Sequence, residues 1–202
     1  PYQWSQYFQI NMSYHPDALA KLFAFLISAI GIFIFIYAVI YMQDKKARLA
    51  KLLCILQIFA MSMLQLVLTD NTIVLFLAWE MTTITSYLLI QFNMQNKEAN
   101  QAAFNGMFIS VMGALAMLAG FIILHHAVGS WSIQATLSTL NIDHPYLLAS
   151  FLLLLLGALT KSAQFPFHFW LPGAMQAPTP VSAYLHSATM VNAGIYLLAR
   201  FH

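Results

Sequence analysis

Charge is what this sequence has least of. Lys and Arg number 8 and Asp and Glu 6 among 202 residues, so that 7% are charged and 61% hydrophobic. A soluble domain carries about 25% charged side chains. A shortfall of this size excludes a water-solvated surface and implies an integral membrane protein, in keeping with a mean hydropathy of +0.74. Cysteine is almost missing as well. The lone Cys54 excludes an internal disulfide and any Cys-based zinc or iron–sulfur site. A net charge of +2 is too small to point to nucleic acid. No phosphate loop and no nucleophile–base constellation occurs, which leaves soluble-type enzyme chemistry without residues to stand on. No signal peptide appears, the first residue is Pro1 rather than methionine, and the final GIYLLARFH stops at the end of an apolar run. The chain therefore reads as a piece of a longer one.

What the sequence does have is a series of membrane-length apolar runs. Residues 1–17, with Tyr2, Trp4, Tyr7 and Tyr14, suit an interfacial segment, where amphipathic rings settle. Asp17 is placed to cap a first helix over 18–42, long enough for a span that needs roughly 20 residues. The remainder, 49–200, holds five further apolar runs. Its helices are expected at about 49–68, 71–92, 102–124, from 146 through FLLLLLGALTKSAQ, and 180–200, with a short amphipathic piece around 133–140. The fold expected is all-α with about six transmembrane helices. On the fourth of these, Gly106, Gly113 and Gly120 recur every seven residues and line one face, which permits close helix contact in lipid.

Orientation follows from the basic residues. Lys45, Lys46, Arg48 and Lys51 follow the first helix and Lys97 follows the third, whereas the loops around Asp70 and across 125–145 contain no Lys or Arg. The positive-inside rule places loops 43–51, 93–101 and 172–179 in the cytoplasm.

Three ionisable groups interrupt the apolar runs. Glu80 is the tenth residue of its helix counted from Asn71, near mid-bilayer, where a carboxylate has to be paired, neutral or facing water. Lys161 falls ~23 Å from the start of its helix at the rise of an α-helix. Pro166 and the aromatic run FPFHFW follow it, so that the helix is expected to continue past the lysine and break near Pro166, freeing backbone acceptors one turn away. Thr160 and Ser162 flank the lysine as possible supports. His186 enters from the opposite direction to ~9 Å, a similar depth, and histidine passes protons near neutral pH. His168, beyond Pro166, is a further candidate or an interfacial side chain. Ionisable groups at such depth mark an ion or proton path by default. Glu80 comes out about 9 Å from Lys161 in depth, so contact requires tilt, or bridging by water or by Thr82, Thr83, Thr85 and Thr160.

Haem has little to bind it: His125 and His126 are adjacent, and His168 and His186 are a weak facing pair. Neither a cofactor nor a metal is expected.

The stretch LTKSAQFPFHFWLPGAMQAPTPVSAYLHSATMVNAGIYLLAR and the segment LFLAWEMTTITSYLLI resemble the proton-translocating antiporter-like family. That family is shared by Mrp-type multisubunit Na+/H+ antiporters and the membrane arm of respiratory complex I, and the resemblance is greatest to the large A subunit of Mrp. It implies two inverted five-helix repeats, of which this chain holds the first. It also maps the family's glutamate, broken-helix lysine and relay histidine onto Glu80, Lys161 and His186. Asn192 departs from the lysine frequent in Mrp large subunits, and Gly173 and Gln176 stand where relatives often carry acids. The partners implied are other membrane subunits, H+ and Na+, and the bilayer. Two mechanisms stay open: cation/proton exchange, or proton pumping within a quinone-linked dehydrogenase or hydrogenase complex.

Overall fold

The computed structural model describes residues 2–5, 10–43, 46–92, 97–139, 145–175, 177–187 and 189–201. Tyr7, Lys45, Gln176 and most of the polar break after the third helix lie outside the described residues. Ahead of the helices, part of the expected interfacial segment forms a two-stranded antiparallel hairpin, Tyr2–Ser5 with Ile10–Met12, bulged between Gln3 and Ser5. The rest is helical: α1 (Ala18–Tyr41), α2 (Lys46–Leu68), α3 (Thr72–Ile90), α4 (Lys97–Val128), α5 (Ile133–Thr139), α6 (Leu147–Lys161), a 3-10 turn (Phe167–Trp170), α7 (Leu171–Ala174), α8 (Thr179–Ser187) and α9 (Met190–Arg200).

Four of these are long and apolar enough to cross a membrane: Ala18–Tyr41, Arg48–Leu68, Thr72–Ile90 and Ala103–Val128. The chain is an all-α integral membrane protein. α1 buries only Ala20, Ile27, Gly31, Ile34 and Ala38, one narrow stripe, and turns Phe25, Phe33, Ile36 and Ile40 outward. Asp17 caps it as expected, its carboxylate accepting from the Ala20 amide at 2.7 Å. α3 is capped by Asn71, which accepts from the amides of Ile73 and Val74. Along α3, Thr82, Thr83, Thr85 and Ser86 turn their hydroxyls back onto carbonyls three or four residues earlier, which satisfies their O–H donors within the helix.

The helix ends near Asp70 are knotted together. The Asp70 carboxylate accepts from the Ser132 hydroxyl at 2.6 Å and the Gln134 amide at 3.1 Å, and so caps α5 from a distant part of the chain. Its carbonyl accepts from Ile133 and its amide donates to Ser13, while the Thr72 amide donates to Trp131. Nearby, Tyr14 bonds Gln65, His125 stacks on Trp131 at 3.8 Å, and Arg200 pairs with Asp17.

α4 and α6 pack closely, and the heptad glycines account for it. A Cβ on Gly106 would stand 3.2 Å from the Trp170 ring, one on Gly113 would overlap the Thr160 hydroxyl, and one on Gly120 would stand 3.0 Å from the Ser150 carbonyl. From α6, Gly157 answers: its Cβ would meet that of Met117 at 2.7 Å. Small residues on both sides let the two backbones approach, and dispersion contacts follow.

Two helices differ from the expectation. α6 does not run through Gln164 to a break at Pro166; it ends at Lys161. Ala163 adopts φ 49°, and the Gln164 amide donates back to the Leu159 carbonyl at 3.0 Å. That is a Schellman-type stop, with alanine in the left-handed position usually given to glycine. Pro166 follows a helix that has already ended. The expected 180–200 helix is itself divided, α8 ending at Ser187 and α9 starting at Met190.

Candidate functional site at two adjacent helix breaks

Each break is held by side chains that occupy the carbonyls a helix end leaves free. At the first, the Trp170 indole donates to Thr160 O at 3.1 Å and the Gln164 amide group to Ser162 O at 3.2 Å. At the second, the Thr189 hydroxyl donates to Tyr184 O at 2.6 Å, and Asn192 donates to Ser187 O at 3.0 Å. The two breaks are joined directly: Ser162 Oγ donates to Val191 O at 2.6 Å. Gly194 makes this possible, since a Cβ there would overlap the Ser162 hydroxyl and the Ala158 carbonyl.

Lys161, the last residue of α6, is 0% exposed. A buried ammonium needs hydrogen-bond acceptors, and α3 supplies them. Nζ donates to Thr83 Oγ1 at 2.7 Å and to Trp79 O at 3.1 Å, with the Trp79 ring centroid 5.3 Å away, within cation–π range. The Trp79 carbonyl also accepts from the hydroxyls of Thr82 at 2.7 Å and Thr83 at 3.1 Å. The lysine therefore sits on a polar patch of α3 rather than on carbonyls freed by Pro166.

Glu80 follows Trp79 in the same turn of α3, half-buried, and its Oε1 is buried without a protein hydrogen bond. It makes no ion pair with Lys161; Arg200–Asp17 is the ion pair among the described residues. Of the bridging residues considered from the sequence, Thr83 binds the lysine, while the Thr160 hydroxyl turns to Gly157 O. His186 lies in the last turn of α8 with both ring nitrogens buried and unpartnered, and it makes no hydrogen bond to Lys161. His168 is exposed beside Phe165. Ser162 ties the breaks together. The residues that sequence reasoning passed over are Trp79, through its carbonyl, and Thr189. Neither carries a signal in sequence, because backbone acceptors look alike and a mid-helix threonine reads as neutral. An apolar cavity of about 410 Å3, lined by Met61, Gln65, Val74, Leu77 and Met81 among others, does not touch Glu80, Lys161 or His186.

The family model for "NADH:quinone oxidoreductase/Mrp antiporter, TM" matches residues 69–202, the segment holding both breaks and Glu80, Lys161 and His186. The chain belongs to this family. The model for the N-terminus of chain 5 of NADH-ubiquinone oxidoreductase (complex I) matches residues 3–50. Among relatives of this family member, the "Putative antiporter subunit mnhA2" proteins of Staphylococcus epidermidis and Staphylococcus aureus are each 46% identical over 200 residues, 98% of this chain and 25% of theirs. A solved structure, the Mrp complex from Dietzia sp. DQ12-45-1b, superposes with a TM-score of 0.77 at 36% identity, covering 92% of this chain and 20% of that one. The chain thus spans about a quarter of the length of the relatives it matches.

Proposed function

We propose that this chain is the first-repeat portion of a subunit of a monovalent cation/proton antiporter that exchanges Na+ for H+, and that Glu80, Lys161 and His186 carry the protons. The observation that bears most of the weight is the fully buried Lys161, held by a helix carbonyl and a hydroxyl at the meeting point of two helix breaks. Irregular backbone at membrane depth is tolerated where it lines a polar path. An ammonium between desolvation, which disfavours it, and a nearby carboxylate, which favours it, is suited to giving up its proton. When Glu80 is drawn away, Lys161 releases a proton towards His186; the return of Glu80 reloads it. α6 with its 3-10 turn and α7 forms the fifth span, and α8 with α9 the sixth. Residues 1–17 form an interfacial segment, 18–42 a first span and 49–200 one five-helix repeat. Loops 43–51, 93–101 and 172–179 face the cytoplasm across the plasma membrane, and other membrane subunits complete the path. The subunit transports and catalyses no covalent chemistry.

The match of residues 3–50 to a complex I family model favours a second reading, a proton-pumping subunit of a redox-driven complex. Relatives at 46% identity named as antiporter subunits favour the first.

The experiment is proton flux in vesicles containing the full complex. Lys161→Ala should abolish flux, and Lys161→Arg should fare almost as badly, because a guanidinium keeps its proton at any workable pH. A lysine that merely snorkels would be replaced equally well by arginine. Parental flux with Lys161→Arg overturns the reading.

A further inference from the structure

We propose that Thr83 is the positioning residue for Lys161, a hydroxyl that holds the same nitrogen whether or not it carries its transferable proton. The inference rests on Lys161 being the proton carrier and adds how the chain keeps it in place while it discharges.

The two acceptors around Nζ are not equivalent. Trp79 O, at 3.1 Å, can only accept, so it serves an N–H of either form and has nothing to offer the lone pair of an amine. Thr83 Oγ1, at 2.7 Å, carries one donor and two acceptor lone pairs. With the ammonium present, Oγ1 accepts from Nζ and sends its own proton to Trp79 O at 3.1 Å. When the ammonium loses a proton, Nζ becomes an amine with a lone pair and two remaining N–H bonds. The Thr83 hydroxyl then rotates about Cβ–Oγ1 and donates to that lone pair, while an amine N–H still reaches Trp79 O. One proton leaves Lys161, none leaves Thr83, and no bond to carbon changes. Trp79 O does not go short during the swing, because Thr82 Oγ1 donates to it at 2.7 Å.

The second threonine explains itself in this scheme. Thr82 and Thr83 both bond the same carbonyl, but among the described residues only Thr83 also touches the lysine. Other titratable groups among the described side chains of the surrounding elements are Glu80 and Tyr87 on α3, His125 and His126 at the end of α4, His168 on the 3-10 turn, Tyr184 and His186 on α8, and Tyr196 and Arg200 on α9. None is hydrogen-bonded to Nζ, so the hydroxyl of Thr83 is the side-chain group that reads the protonation of Lys161 by direct contact.

The test uses the full-length chain in its complex, with Thr83→Val, Thr83→Ala and Thr83→Ser. Valine keeps the shape of threonine and removes the hydroxyl. The ammonium then loses a stronger hydrogen bond than the amine does, a difference worth about one pH unit. The pH profile of proton flux is expected to move about one unit towards acid with Thr83→Val, and to return to the parental position with Thr83→Ser. Thr83→Ala reads the same effect if the valine chain does not assemble. The nitrogen NMR signal of ζ-15N-lysine in the purified complex, assigned to Lys161 by its loss in Lys161→Ala, should change from ammonium to amine with the same displacement. A valine variant with slower flux but an unmoved profile and unmoved signal overturns the inference, as does a serine variant that behaves like valine. If Lys161→Ala transports normally, the proposed function fails; the NMR comparison of valine with serine still decides the role of Thr83.

Discussion

The hydroxyl of Ser162 donates to the carbonyl of Val191 at 2.6 Å, so the residue after the end of α6 is fastened to the first turn of α9. Two helices that stop within the membrane-length bundle therefore stop beside one another. The carbonyls of Thr160, Ser162, Tyr184 and Ser187 at the breaks accept from side chains, and the Lys161 ammonium donates to Thr83 and Trp79 O. Polar groups of this kind are expensive in lipid unless each finds a partner. Trp79 Nε1, Glu80 Oε1 and the two nitrogens of His186 find none among the described residues.

Glu80 gives the first prediction. It lies one residue from the carbonyl that holds Lys161, and its Oε1 is buried without a protein partner. Glu80→Gln and Glu80→Ala should insert and assemble normally yet lose most ion exchange, roughly tenfold or more for one lost charge interaction at ~1.4 kcal/mol per decade. Exchange in membrane vesicles, normalised to the amount of complex, checks it. Near-parental exchange by a well-expressed Glu80→Ala protein would remove Glu80 from the path.

Gly113 gives a packing prediction. A Cβ there overlaps Thr160, so Gly113→Ala must push α4 from α6, at a cost of about 1–3 kcal/mol, the usual range for overpacking. Thermal unfolding of the purified complex should show the loss, and Thr160→Ala in the same chain should recover part of it. An unchanged midpoint in the single variant would mean that the helices stand further apart than described.

Orientation can be read chemically. In a background without Cys54, which is exposed, a cysteine replacing Ala47 should be labelled by an impermeant thiol reagent from the cytoplasmic side. One replacing the exposed Ser138 should be labelled from outside. The reverse pattern inverts the assignment of loops.

Sequence and structure agree where a single residue type has a single local consequence. Asp17 caps α1 because a carboxylate ahead of an apolar run satisfies orphan amides. Gly106, Gly113 and Gly120 face α6 and Trp170 because seven residues are close to two helical turns. The places where they part are helix ends inside apolar runs. The stop after Lys161 uses Ala163 in a left-handed conformation, where glycine is the customary sign. The division between α8 and α9 depends on Thr189 and Asn192 finding carbonyls at Tyr184 and Ser187, a tertiary outcome with no periodic trace. For the candidate site, Glu80, Lys161 and His186 stand out by residue type and depth and Thr83 only as one of four threonines able to bridge, but which acceptor holds the ammonium cannot be read from either. That choice is made by how α6 is rotated against α3, and sequence spacing within either helix does not contain it.

The knot around Asp70 has a mechanical meaning. Ser13, Asp70, Trp131 and Ser132 are cross-linked by short hydrogen bonds, and Arg200 at the far end of α9 is clamped to Asp17, with Tyr196 bonded to Val67 O at 2.7 Å. One end of the bundle is thus a fixed mounting to which α9 is bolted, while α8, across the break, is tied to α1 instead, its Tyr184 hydroxyl donating to Ile27 O at 3.1 Å. The break at Thr189 therefore divides the pair into one half fastened at the Asp70 end and one half fastened to a different helix.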